Sequence, residues 1–198
     1  ELPKGEFSGE AVDLITIAAL LDLGPVARKS IEELLRQYAV ELDRALEVRE
    51  RLMSDSRLVM MNTIRDEDHA TALSLYRRQI DASMAVRDVN DQYLGAIVAA
   101  LSDELASDFR AEAMSRGYPR VYRPTAAQRI FTAAQGLESI SDDTRDAILA
   151  LETAFLVELG MINDRLVELL RDYEPDEAMF RAARFAAKEA AIKALGAP

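Results

Sequence analysis

Leu20-Leu21-Asp22-Leu23-Gly24-Pro25-Val26-Ala27-Arg28-Lys29-Ser30-Ile31 is the stretch on which the reading of the fold turns. Gly24 admits the left-handed backbone that closes one helix. Pro25 suits the first turn of the next, where its missing N–H has no partner to lose. A second version follows 117 residues later, at Leu137-Glu138-Ser139-Ile140-Ser141-Asp142-Asp143-Thr144-Arg145-Asp146-Ala147-Ile148. The offset sets Leu23 on Ile140, Arg28 on Arg145, Ile31 on Ile148, Tyr38 on Phe155 and Leu42 on Leu159. The shared apolar positions keep helical spacing, so the expectation is one helical unit used twice.

Outward from these two starts, the chain reads as helix throughout. It has 198 residues, 8 Gly and 6 Pro, and is 30% charged, a composition that favours helices over strands. A lead-in is expected over 1–9 and a short helix over 10–21. A second helix is expected from Pro25 to about Arg57, with Ile31, Leu34, Leu35, Tyr38, Leu42 and Leu46 along one face. The segment 57–68 fits neither helix nor loop clearly. A third long helix is expected over 67–101, its apolar seam interrupted by Arg87, Asp88, Asn90 and Asp91. Leu101-Ser102-Asp103-Glu104 reads as a new start, with Ser102 as cap, leading to Phe109.

Arg116-Gly117-Tyr118-Pro119-Arg120-Val121-Tyr122-Arg123-Pro124 is the strongest break. Thr125 caps the helix that follows it. Another helix is expected from Ser141 to about Tyr173, stopped by Pro175, and a final Ala-rich helix over 176–195. The division is therefore a lead-in over 1–9, a first helical unit over 10–117, a Pro/Tyr linker over 118–124 and a partial second unit over 125–198. The fold class expected is all-α, built of long antiparallel helical hairpins.

The leucine-led helix starts resemble the motif of the Spy/CpxP-like (LTxxQ-motif) family of bacterial periplasmic stress proteins. Leu23, Pro25 and Arg28 carry the first copy, with Ala27 where the family has Gln. Leu101, Ser102, Asp103, Glu104 and Phe109 carry another, with Leu105 for Gln. Ile140, Ser141 and Arg145 carry the third. The resemblance spans 14–109 and, in part, 125–173. It implies a cofactor-free helical cradle outside the cytoplasm, often dimeric, acting as a chaperone, a stress-response regulator or a metal-responsive module. The expected setting is periplasmic or otherwise extracytoplasmic, although a Cys-free chain suits the cytoplasm as well. Glu1 in place of Met fits either a mature chain after signal cleavage or a trimmed one.

A net charge of −11 speaks against nucleic-acid binding, which needs a Lys/Arg footprint. No apolar run reaches the roughly 18–20 residues of a membrane span, so no stable membrane insertion is expected. There is no Cys, hence no thiolate site. The single His, His69, stands three residues after Asp66 and near Met60 and Met61, which makes a metal-responsive module an alternative. Acids at a helix start need no metal to explain them. No carboxylate pair, triad or phosphate loop stands out, so a non-enzymatic protein is expected. Candidate contacts for a protein partner or unfolded client are Met60, Met61, Tyr118, Arg120, Tyr122 and Arg123. A homodimer or a purely structural module are the remaining readings.

Overall fold

The computed structural model describes residues 5–66, 68–137 and 139–194. Six α-helices and no strand occur among the described residues: α1 Leu14–Leu20, α2 Gly24–Arg65, α3 His69–Ala100, α4 Asp103–Gly117, α5 Ala126–Gln135 and α6 Asp142–Ala194. The all-α expectation holds.

The first helix is shorter than expected because Asp13 caps it, accepting from the N–H groups of Ile15 and Thr16. Residues 5–9, expected as a mobile lead-in, pack against the bundle. Phe7 is buried, Ser8 donates its hydroxyl to Glu174 at 2.6 Å, and Gly9 N–H bonds Gly117 O at 2.9 Å. Gly9 sits at φ +86, and a Cβ there would press on the Tyr118 hydroxyl at 3.0 Å. Gly24 adopts φ +66 but does not close α1, which ends on Leu21 in extended backbone; it stands at the start of α2.

α2 runs through Ser54-Asp55-Ser56 and the ambiguous segment as far as Arg65, making 42 residues. Ser56 accommodates itself by donating its hydroxyl back to Leu52 O at 2.5 Å. α3 starts at His69 under a cap from Asp68, while Glu67 lies outside the described residues. The two long helices run antiparallel. Ser30 Oγ donates to Ala100 O at one end, and Gln79 Nε2 donates to Ser56 Oγ at 2.7 Å at the other. Ile31, Tyr38, Val86, Ile97 and, from α1 and α4, Leu14, Ile17 and Phe109 form the main core.

Of the residues that interrupt the apolar seam of α3, Arg87 and Asn90 are buried, Asp91 is half-buried against Arg171 and Asp88 is exposed. Asn90 donates to Gly9 O and Glu10 O and accepts from the Tyr38 hydroxyl at 2.9 Å. Glu10 and Arg49 form a buried ion pair at 2.7 Å, and Glu10 also accepts from Phe7 N–H. An uncompensated charge at this depth would be costly, so each of the two depends on the other.

Ser102 stands at the N-cap of α4 without a side-chain capping bond, a departure from expectation; Asp103 and Glu104 lie in the first turn. Thr125 and Gln128 close a full capping box on α5.

Pro175 does not end the helix, which is the largest correction. α6 is continuous over 53 residues, and Leu195, the expected end of the last helix, lies outside the described residues. A proline inside a helix strips the carbonyl four residues back of its donor, here Arg171 O. The buried Arg87 of α3 supplies one, Nη2 to Arg171 O at 3.4 Å. Glu174 binds Ser8 and faces Arg87 across 4.0 Å. The bond lost to Pro175 is thus replaced from a neighbouring helix, and no break is needed.

Candidate functional site

α6 meets the bundle through one face only. Val167 joins the main core, and Ala178 packs with Phe7 and Ile80 in a smaller cluster. The first turns of α6 pack on α5, where Phe131 and Phe155 stack with ring centroids 5.6 Å apart. α5 itself has no buried residue.

A second face of α6 carries Leu151, Ile162, Leu166, Leu169, Tyr173 and Phe180, each 41% to 62% exposed. At 3.6 residues per turn these six fall within an arc of about 60°, and they run along roughly 44 Å of helix. Such a row costs free energy wherever it faces water unless something covers it. The helix segment that bears it is acidic: residues 142–180 hold eleven Asp and Glu against three Arg, a net of −8. Beyond Phe180 the sign reverses with Arg181, Arg184 and Lys188.

The sequence had not marked this row. Its signal was present in the 4, 3 and 4 spacings from Ile162 to Tyr173, but a helix expected to stop at Pro175 hides the continuity to Phe180.

The other concave feature lies where the C-terminal end of α2, the start of α3 and the last turns of α6 converge. It is a pocket of about 370 Å³ lined by Met60, by His69, Leu73, Tyr76 and Gln79, and by Phe185. Three facing alanines, Ala72, Ala182 and Ala186, leave the space that larger side chains would fill. Its polar groups are largely engaged: the Tyr76 hydroxyl donates to Glu6 at 3.0 Å and the Gln79 amide to Ser56. Burial, with the Glu6 charge beside it, pushes the Tyr76 phenol up to about 12.

The residues expected to matter are placed as follows. Met60 and His69 share the pocket, while Met61 is exposed. Asp66 pairs with Arg65 at 3.0 Å, and Asp68, its carboxyl held below the usual range by bonds from Thr71, caps α3. Among the described residues no group of three or more His, Asp or Glu is arranged to hold a metal ion.

Tyr118 is not a surface anchor. It is buried, its phenol is pushed up to about 12 by burial, and it packs beside Gly9. Tyr122 bonds Asp164 at 3.3 Å, while Arg120 and Arg123 are exposed. Two helix starts come together: Leu23 and Pro25 line one shallow surface hollow with Leu101 and Ser102. Arg28 is exposed beside them, and Glu104 and Phe109 follow on α4, the latter buried. The third start does separate work. Arg145 donates to Gln135 O at 2.7 Å and to Leu137 O, tying the α5 end to α6, and Ser141 accepts from Thr144 N–H, with Ile140 half-buried beside it.

No family model, curated protein or solved structure matches the chain. No described helix is long and apolar enough to cross a membrane.

Proposed function

We propose that the protein is a non-enzymatic interaction module that receives a cationic amphipathic helix of a partner along the exposed apolar row of α6. The row from Leu151 to Phe180 carries the proposal. Its spacing suits the i, i+3, i+4, i+7 anchors of a helix laid side by side with it. The net charge of −8 along the segment that bears it favours a basic partner and opposes a second copy of the same helix. Capture of this kind needs no cofactor. A stress-response or chaperone-like role outside the cytoplasm draws its support from the resemblance of the leucine-led helix starts.

Titration with a designed Leu/Lys amphipathic peptide tests it against a Leu/Glu peptide of equal length. The Leu/Lys peptide should bind at least about tenfold tighter. A variant combining Leu151→Ser, Ile162→Ser and Leu169→Ser keeps every charge and should lose that affinity. Binding that survives the triple substitution would mean simple charge attraction and sink the reading. Sedimentation of the unliganded protein reports the competing occupant: a dimer dissolved by the same substitutions would assign the row to self-association.

A further inference from the structure

We infer that the end pocket is a binding site for a single-chain amphiphile with an anionic head, of the free fatty acid type. This site lies at the other end of α6 from the start of the partner row and does not depend on it.

The shape and the lining set the tail. The pocket holds about 370 Å³, within the range of small-molecule sites. Leu73, Phe185 and Met60 give it apolar walls, and the three alanines keep it open. The hydroxyl of Tyr76 and the amide of Gln79 are turned to other partners, so of the polar lining groups only the His69 imidazole is left to meet the occupant. An unbranched hydrocarbon chain meets these terms, and each methylene removed from water adds to its affinity. Met60 adds a wall that adjusts its shape to the chain.

The surroundings set the head. Phe185 belongs both to this pocket and to an adjoining surface hollow lined by Arg181, Arg184 and Lys188. These three cations recur at i, i+3 and i+7, so one side of α6 presents them together. Arg181 lies close enough to Tyr76 for its charge to act on that phenol, which ties the cationic group to the pocket wall. Arg184 is held over the Phe180 ring at 5.7 Å. A chain seated against Leu73 and Phe185 therefore ends beside a cluster of positive charge, in a protein whose overall charge is −11.

That overall charge makes the test sharp, because non-specific attraction favours a cationic detergent. Laurate, dodecanol and dodecyltrimethylammonium carry the same tail and are titrated by calorimetry below their micellar concentrations. Laurate should bind at least about tenfold tighter than dodecyltrimethylammonium, with the gap shrinking at high salt. Equal or reversed affinities would overturn the anionic head, and absence of binding by all three would overturn the pocket.

Combined Arg181→Gln, Arg184→Gln and Lys188→Gln should lower laurate affinity about tenfold and leave dodecanol unchanged. Unaltered laurate binding would again overturn the proposal. Leu73→Trp fills the space and should block both ligands while helicity by circular dichroism is kept. Co-sedimentation with anionic phospholipid vesicles that laurate cannot compete away would assign the cluster to a membrane surface instead. The serine variants of the partner row should bind laurate normally, so the two proposals fail separately.

Discussion

Set α2 beside α6 at the offset of 117 and the same apolar phase meets opposite fates. Ile31 and Tyr38 are fully buried, whereas Ile148 and Phe155 are only half-buried. The contrast is sharp in chemistry at Arg49, which is buried, against Leu166, which is 41% exposed. α2 has α1 and α3 against it, whereas the early turns of α6 have α5. Period decides which side of a helix is apolar; the number of neighbours decides whether that side is covered. In the first region a charge is kept inside by Glu10, and in the second a leucine is left outside.

The contrast should break most visibly at that pair. Arg49→Leu strands Glu10 in the core and should cost about 3–5 kcal/mol in urea unfolding. Leu166→Arg at the equivalent place should stay within about 0.5 kcal/mol while weakening the Leu/Lys peptide. Equal costs at both sites would show that α6 is as tightly packed as α2. Next in size, Ile31→Ala should destabilise by about 2–5 kcal/mol and Ile148→Ala by less than half as much, measured by the same midpoints.

Smaller still is Tyr38→Phe. It removes the hydroxyl that bonds Val12 O and Asn90, and should cost about 1–3 kcal/mol, against near-neutrality for Phe155→Tyr. A neutral Tyr38→Phe would mean that Asn90 finds another donor.

The smallest effect sharpens the comparison where α6 touches α3. Asp91 lies 2.7 Å from Arg171, an ion contact without hydrogen-bond alignment. Burial raises its carboxyl pKa, and the opposing pull of Arg171 and Arg87 does not cancel that rise. The folded state therefore holds this proton more tightly than the unfolded chain. The stability it contributes is complete below the ordinary carboxylate pKa and is lost as pH rises through the raised one. The stability of the native protein minus that of Asp91→Asn should fall with rising pH across that window. A difference that grows with pH would mean that the ion contact outweighs burial.

Helical class, the Ser141 start and the Thr125 cap were legible because they rest on local rules of spacing and of a hydroxyl before an apolar run, whereas the Ser102 side chain makes no capping bond. The buried polar layer was half legible. Ser83, Arg87 and Asn90 fall on the same 3–4 spacing as Ile80, Leu94 and Ile97, which marks polar residues in the buried phase. The partners of Asn90, the backbone carbonyls of Gly9 and Glu10, come from a segment some 80 residues away that reads as a loose terminus. The path of the chain through Pro175 was not legible, because the group that rescues Arg171 O belongs to another helix. The end pocket escaped for a similar reason. An empty space is set by small residues on elements that only the folded chain brings together, and Met60 with His69 suggested ions rather than a void.

The replacement of one backbone bond at Pro175 has a mechanical consequence. The partner row lies largely before the proline, and the pocket with its cations lies after it. Arg87 acts as a splint across the joint, and Ala178, packed against Phe7 and Ile80 just beyond it, is a second fastening. With Arg87→Met the joint loses its replacement bond and rests on that small cluster alone, which softens the angle between the two surfaces.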